Sequence, residues 1–249
     1  MKDEFVSIAS HELRTPMTAI KGFTSMIMEG DYGEISKNIL DPLKSIQIST
    51  DRLINLVNDL LNLSRIESGR LKMNLEDTDV CKIIKESVDA LIPIAQSKNL
   101  KLILEINDDH VLAQTDTDKL RQIITNLVGN SLKFTDRGEI KTILKKEGDF
   151  VKVFVSDTGI GIPESEQNRI FGKFEQVTNS TIGRPQGTGL GLFICKMMVE
   201  KMGGVMKLEK STEDKGSEFS FSLPISGSAT ATEVKEEVKK EAMAHPDQK

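Results

Sequence analysis

The sequence has no tryptophan and only one tyrosine in 249 residues. Aromatic residues make up 4% of the chain, so a surface that stacks nucleic-acid bases would have very few rings to use. The formal net charge of −5 gives no general attraction for nucleic acid or for anionic membranes. Unless basic residues cluster locally, the composition therefore argues against nucleic acid as a partner. It also predicts no membrane contact from this segment.

Cysteine is also scarce. The two cysteines, Cys81 and Cys195, each lie in an apolar helical pattern, which argues against a disulfide framework and against a zinc site. No apolar run approaches the roughly 18 residues that span a bilayer, and the segment MKDEFVSIAS lacks a basic stretch followed by a hydrophobic one. We expect a cytoplasmic chain, either free or tethered to a membrane sensor within a longer protein.

The chain nevertheless has the composition of a folded protein. Hydrophobic residues make up 38% and charged residues 29%, and the length favours two domains over one large one. In residues 1–68 apolar residues repeat every seven positions, from Val6 to Ile27 and again from Ile39 to Leu60. The pattern predicts an antiparallel helical hairpin, with a second copy covering its apolar seam in a four-helix bundle.

Short helices and strands alternate over residues 69–225, which predicts an α+β domain with a mixed sheet. The predicted strands are 71–78, 100–106, 139–146, 150–157, 205–210 and 217–223. The predicted helices are 79–97, 119–134 and 190–202. Residues 226–249 contain no aromatic residue, and we expect them to be a disordered tail or the start of a linker.

His11 is the first candidate for chemistry. At about 100° per residue it lies about 160° round the helix from the seam, so it is predicted to face solvent beside Glu12. A carboxylate that takes the proton of one ring nitrogen leaves the other with a free lone pair, as a nucleophilic histidine requires. Pro16, which removes one helical hydrogen bond, predicts a kink nearby. The alternative is an ordinary surface or core histidine.

The segment ITNLVGNSLKFT (124–135) places Asn126, Asn130, Lys133 and Phe134 within two turns of a helix. Asparagine is a poor residue for a helix interior unless its amide is used. A side-chain carbonyl can bind Mg²⁺, and Lys133 is placed to meet a phosphate. The alternative is a polar helix face without a ligand.

Two glycine motifs, DTGIGI (157–162) and GTGLGL (187–192), offer close approach to backbone. Asp157 ends an apolar strand and can accept a hydrogen bond from an amino group, such as the exocyclic amine of adenine. The second motif leads into a helix, whose N-terminus favours phosphates. Neither motif is a P-loop. Residues 175–186 between them have the composition of a mobile loop and could form a lid.

Taken in order, these segments resemble the motif series of two-component sensor histidine kinases. The matching segments are FVSIASHELRTPMTAI (5–20), NLVGNSLKF (126–134), DTGIGI, IFGKF (170–174), GTGLGL and GSEFSF (216–221). The resemblance implies a dimerisation and histidine-phosphotransfer hairpin over 1–68. It further implies a Bergerat-type (GHKL) ATP-binding domain, an α/β sandwich, over 69–225.

The resemblance also implies roles for single residues. His11 would accept the phosphoryl group, Glu12 would act as the base, and Thr15 would orient water in a phosphatase reaction. Asn130 would bind Mg²⁺, with Asn126 and Lys133 near the metal and the phosphates, while Asp157 would hold the adenine amine of ATP. The other implied contacts to the nucleotide are Phe134, Gly159, Gly161, Ile162, Arg169, Gly187, Thr188, Gly189, Leu190, Gly191, Leu192 and Ser217. Ser217 departs from the threonine that the family often has there.

The implied function is autophosphorylation of His11 in a homodimer, followed by transfer to an aspartate of a response-regulator receiver domain and by a phosphatase reaction toward that regulator. A gyrase-like ATPase is one alternative, but such enzymes resemble one another in having a glutamate on the asparagine-bearing helix, and residues 118–135 contain none. A non-catalytic dimeric scaffold is another alternative, although none of the key residues is missing.

Overall fold

The computed structural model describes residues 2–108, 110–176 and 187–244, except for the side chains of residues 2–8, 11, 235, 237 and 239–244. The described chain forms two compact units, with residues up to 71 and 187–190 in the first and the remainder in the second. The first unit is the predicted helical hairpin, with α1 (Lys2–Glu29) and α2 (Lys37–Glu67). Helix α1 continues through Pro16.

The interior of the hairpin is lined by small and polar residues as well as apolar ones. Ser10, Met17 and Thr24, which are seven residues apart, are 3–5% exposed on α1, and Thr50 and Val57 are buried on α2. The predicted seam instead stays 38–50% exposed at Leu13, Ile20, Ile39, Ile46, Leu53 and Leu60. The hairpin therefore closes on one face and leaves a second, apolar face uncovered within this chain.

The second unit is built on a five-stranded sheet of order β2-β4-β5-β7-β6. Its strands are β2 (Lys101–Ile106), β4 (Glu139–Glu147), β5 (Phe150–Asp157), β6 (Met206–Thr212) and β7 (Gly216–Pro224). Strands β2 and β4 are parallel, and the other neighbours are antiparallel. The mixed sheet confirms the predicted fold class.

Helices pack on one face of this sheet. They are α3 (Val80–Asp89), α4 (Ile92–Ser97), α5 (Thr117–Phe134), α6 (Glu164–Gln167) and α7 (Gly191–Lys201). Val151, Val153 and Val155 alternate inward along β5 and are fully buried, as period-two patterning requires. The side chain of Asp116 caps α5 by accepting from the backbone N–H groups of Asp118 and Lys119, both at 3.1 Å.

Several local predictions need correction. The strand expected at 71–78 is only Glu76–Asp79 (β1), which pairs antiparallel with β3 (Leu112–Thr115), a strand the sequence analysis missed. The helix expected at 79–97 has Asp79 as its N-cap but divides into α3 and α4. Pro93 lies in the first turn of α4, where its missing N–H costs nothing but would break a longer helix.

The expectation of a disordered tail also differs from the structure. Residues Ala229–Ala244 form a helix, α8, whose first turn is capped by Ser228. Ala231 is 1% exposed, and Val234 lies where a Cβ on Gly203 would meet it at 2.4 Å. Two small contacts therefore anchor the start of α8, which composition alone does not reveal.

Candidate functional site

Each unit carries part of the predicted site. In the hairpin, His11 lies within α1 but its side chain is outside the described residues, so its predicted outward orientation stays a prediction. Glu12 and Thr15 are exposed on the same helix. The next residues form a shallow groove lined by Arg14, Thr15, Thr18 and Ala19.

Helix α5 presents the two predicted asparagines on one half-exposed face. The amide nitrogen of Asn130 donates to Oδ1 of Asn126 at 3.1 Å. This bond does not engage Oδ1 of Asn130, the atom that a hard cation would bind. Lys133, one turn further, lies 4.6 Å from the ring centroid of Phe134. The helix therefore groups an amide oxygen, a cation and an aromatic ring, as the sequence predicted.

Asp157 ends β5, and backbone and side-chain donors hold its carboxylate. Its Oδ1 accepts from the N–H of Gly159 at 2.9 Å and from that of Ser217 at 3.3 Å, while its Oδ2 accepts from the Ser131 hydroxyl at 3.2 Å. Burial raises the pKa of Asp157 above its ordinary value, and the three hydrogen bonds oppose this rise. The position of the carboxylate is thus held within the chain itself by three hydrogen bonds.

The glycines after Asp157 lie against backbone atoms. A Cβ on Gly159 would stand 2.3 Å from the carbonyl oxygen of Phe134, and one on Gly161, whose φ is +67°, would stand 2.0 Å from that of Thr212. Glycine is therefore required at both positions for packing, while their contact with a nucleotide stays a prediction.

Ser217 occupies the position where a threonine was expected. Its hydroxyl lies 2.8 Å from that of Ser211, and Ser211 also accepts from the N–H of Ile162 at 2.8 Å. Ser211 therefore joins the two sequence-predicted residues Ser217 and Ile162. Sequence reasoning missed it because it lies in β6, outside every motif.

The second glycine motif is divided between the units. In the sheet unit, Gly191 begins α7 and lies so close to Asn126 that a Cβ would stand 2.5 Å from its Nδ2, with half-exposed Leu192 next along the helix. In the hairpin unit, the hydroxyl of Thr188 donates to Asp59 at 2.7 Å and accepts from the N–H of Leu190 at 3.2 Å. Burial raises the pKa of Asp59, and this hydrogen bond partly offsets the rise.

The second glycine motif and the segments beside it carry the remaining predicted phosphate contacts and the predicted lid. Gly187 and Gly189 bracket Thr188 with positive φ values of 143° and 71°. Arg169 pairs with Glu175 at 2.7 Å and with Glu166 at 3.6 Å, so a phosphate would have to displace these carboxylates. The predicted lid lies mainly in 177–186, outside the described residues.

The phenylalanines of IFGKF have different environments. The ring of Phe171 packs edge-to-face on that of Phe219, with centroids 6.3 Å apart. Phe174 is 61% exposed and has a φ of 61°. Core packing therefore accounts for Phe171 and not for Phe174.

Within the described ranges, no group of three or more His, Cys, Asp or Glu side chains could hold a metal ion. The amide oxygen of Asn130 stays a predicted ligand, of a kind that suits a cation that keeps waters and substrate phosphates. None of the described helices combines the length and the apolar character needed to cross a membrane.

Two family models match the chain. The model described as "His Kinase A (phospho-acceptor) domain" matches residues 1–69, and the one described as "Histidine kinase-, DNA gyrase B-, and HSP90-like ATPase" matches residues 115–227. Together they cover the hairpin and the segment that contains α5, Asp157 and both glycine motifs.

Curated and solved relatives agree with these matches. The circadian input-output histidine kinase CikA of Synechococcus elongatus is 37% identical over 226 residues, covering 90% of this chain and 30% of CikA. BarA of Escherichia coli, a signal transduction histidine-protein kinase, is also 37% identical, covering 90% of this chain and 24% of BarA. The chain thus spans less than a third of either relative.

Among solved structures, full-length ShkA in complex with AMPPNP matches with a TM-score of 0.72 and 26% identity, covering 89% of this chain and 46% of ShkA. The catalytic domain of histidine kinase ThkA matches with a TM-score of 0.54 and 29% identity, covering 61% of this chain and 96% of that domain. The chain belongs to the sensor histidine kinases and contains their catalytic core, a phospho-acceptor hairpin followed by an ATP-binding domain.

Proposed function

We propose that this chain transfers the γ-phosphoryl group of ATP to a ring nitrogen of His11, and that the phosphohistidine then phosphorylates an aspartate of a response-regulator receiver domain. The observation that carries the nucleotide half is the held carboxylate of Asp157 beside α5. The phospho-acceptor match over residues 1–69 supports the histidine half.

Asp157 is the proposed adenine contact. Its ionised carboxylate would accept a hydrogen bond from the exocyclic amine, and the tightly packed backbone at Gly159 and Gly161 would hold the turn beside the base. Ser217 lies next to Asp157, to which its backbone N–H donates, and its hydroxyl pairs with that of Ser211. Phe134 and Ile162 are the further residues proposed to line the adenine.

The phosphates are proposed to lie toward Asn126, Asn130 and Lys133. The N-terminus of α7 at Gly191 offers backbone N–H groups to them, and Gly187–Leu190 would add more once ATP is bound. Asn130 would hold Mg²⁺, which when bound would neutralise the developing charge of the transferred group. Arg169 would contact the phosphates only after its ion pairs with Glu166 and Glu175 break.

At His11 the proposed chemistry is a single displacement. One ring nitrogen attacks the γ-phosphorus, the bond to the β–γ bridging oxygen breaks, and ADP leaves with the electron pair. Glu12 takes the proton from the other ring nitrogen and so keeps the nucleophile neutral. The receiver aspartate later attacks the same phosphorus, the N–P bond breaks with its electron pair on His11, and Glu12 returns the proton to the other ring nitrogen.

A homodimer and a phosphatase reaction complete the proposal. The uncovered seam on both helices offers a self-complementary apolar face to a second copy. Thr15, which is exposed one turn beyond His11, would orient water toward a receiver phosphoaspartate.

The transfer step is tested by labelling the chain with γ-labelled ATP, removing nucleotide, and adding a panel of purified receiver domains, each with an Asp→Asn variant. We expect label to move to an aspartate-bearing receiver as a hydroxylamine-sensitive acyl phosphate and not to its variant. Label that stays on the chain with the whole panel, or that appears only as free phosphate without receivers, would contradict the proposal.

A further inference from the structure

We infer that Ser131 is a positioning residue of the adenine site. Its hydroxyl sets how strongly the carboxylate of Asp157 accepts a hydrogen bond from the adenine amine. The inference rests on the proposed nucleotide site, because Asp157 is assigned to adenine there. It adds a residue that acts through Asp157 rather than by touching the base.

The geometry leaves Asp157 little freedom. A carboxylate has about four lone-pair positions, and three of them are used by Gly159, Ser217 and Ser131. The two backbone donors hold only Oδ1, so without Ser131 the Oδ2 end could rotate about the terminal bond. Ser131 therefore fixes the plane of the carboxylate as well as one of its oxygens.

The position of Ser131 makes its hydroxyl unusual. It is 2% exposed and its helical neighbours Leu127, Val128 and Leu132 are equally buried, so an apolar side chain would suit this face of α5. A buried hydroxyl without a partner costs free energy. Buried serines in helices often bond to the preceding turn, as Ser87 does at 2.7 Å to the carbonyl of Ile83, whereas Ser131 bonds to Asp157.

The hydroxyl also favours the ionised carboxylate. Burial raises the pKa of Asp157, and the Ser131 bond is one of three that lower it. The charged residues that flank Asp157 on the neighbouring elements are Lys133 on α5, Glu139 and Lys141 beside its register partner on β4, and Glu218 on β7, which pairs with Lys210 of β6. None of them is among the causes of the shift. Loss of Ser131 should therefore move proton uptake by Asp157 to higher pH.

The test is Ser131→Ala, with Ser87→Ala as the matched control. Ser87 is also 2% exposed and also bonds through its hydroxyl, but to backbone on α3. Binding of ATP with MgCl₂ is measured by calorimetry from pH 8 downward, together with the melting temperature of each unliganded variant. Ser131→Ala should weaken ATP binding about threefold to tenfold at neutral pH. Its affinity should also begin to fall at higher pH than that of the wild type.

Ser87→Ala should leave both the affinity and its pH profile unchanged. An Asp157→Asn background should remove the effect of Ser131→Ala, because the two residues act as one unit. An unshifted pH profile for Ser131→Ala, or the same loss in both backgrounds, would overturn the inference. If the wild-type chain itself bound no ATP, the proposed function would fail instead, so the two failures are distinguishable.

Discussion

At the end of β5, burial and hydrogen bonding act on Asp157 in opposite directions, and burial prevails. Its pKa in the folded chain is raised above the ordinary value of 3.8. The folded state therefore holds the proton more tightly than the unfolded state. The resulting stability is fully present below pH 3.8 and is lost as the pH rises through the raised pKa. Ionisation of this carboxylate therefore costs the unliganded fold stability as the pH rises.

Asp157→Asn should therefore have opposite effects on stability and on binding. The neutral amide removes the buried charge, so the melting temperature of the unliganded chain should rise at neutral pH, with the gain disappearing toward pH 3.8. ATP affinity should fall by about tenfold or more, since the charged acceptor is lost. Calorimetry of folding and of binding measures both. A variant that binds ATP as well as the wild type would contradict the adenine assignment.

Gly161 and Gly129 offer a second comparison at this scale. Gly161→Ala forces a Cβ into the carbonyl of Thr212 at a positive φ, and we expect a loss of about 2 kcal/mol or more in the free energy of unfolding. Gly129→Ala lies within α5, where nothing is within 4 Å of the new Cβ, and should stabilise by about 0.5–1 kcal/mol. Urea titrations give both values, and equal effects would contradict the close approach at Gly161.

At the scale of elements, the hairpin shows what periodicity can and cannot predict. The seven-residue repeat correctly predicted α1 and α2 and the apolar seam. It did not predict that Ser10, Met17 and Thr24 would line the interior, because small and polar residues carry no apolar signal. Small side chains at these positions let the two helices pack closely. Which positions need them depends on the side chains of the partner helix, and the sequence of one helix does not reveal this.

The exposed seam gives a prediction about assembly. Leu53→Glu places a charge on the seam, at a side chain that is 46% exposed, so the hairpin should fold while the dimer dissociates. Ile48→Glu is the control, because Ile48 is 69% exposed and lies off the seven-residue series. Analytical ultracentrifugation should find monomers for Leu53→Glu and dimers for Ile48→Glu. A dimeric Leu53→Glu variant would contradict a seam-mediated interface.

Strand β3 and helix α8 illustrate why other elements escaped prediction. Strand β3 has four residues, too few to show alternation, and it exists through pairing with β1. Helix α8 has few apolar residues, and its start is anchored by Ala231 and Val234. Both depend on tertiary contacts between distant segments, which local propensity does not encode.

At the scale of the whole molecule, acceptor and nucleotide residues belong to different units. His11 lies in the hairpin, whereas Asp157, Asn126 and Asn130 lie in the sheet unit. Gly69 has a φ of +69°, and residues 70–75 form neither helix nor strand. Because phosphoryl transfer demands close contact of donor and acceptor, we propose that this connection is the hinge about which they meet.

Much of the nucleotide site could be predicted because its motifs are contiguous in sequence. Asn126 and Asn130 share one helix face, and Asp157 with its glycines forms a single turn. Ser131 and Ser211 could not be identified in this way, because a serine gains its role only from the carboxylate or hydroxyl that folding brings near it. The side chain of His11 remains a sequence-based assignment.

The most direct test of the central claim is phosphorylation of the purified chain with γ-labelled ATP and Mg²⁺, compared with His11→Gln and with His110→Gln as the matched control. His110 is an exposed histidine paired with Asp79 in the sheet unit. We expect acid-labile, alkali-stable label on the wild type and on His110→Gln, and none on His11→Gln even though that variant still binds ATP. Label that persists on His11→Gln, or that is stable to acid, would contradict the assignment of His11 as the phospho-acceptor.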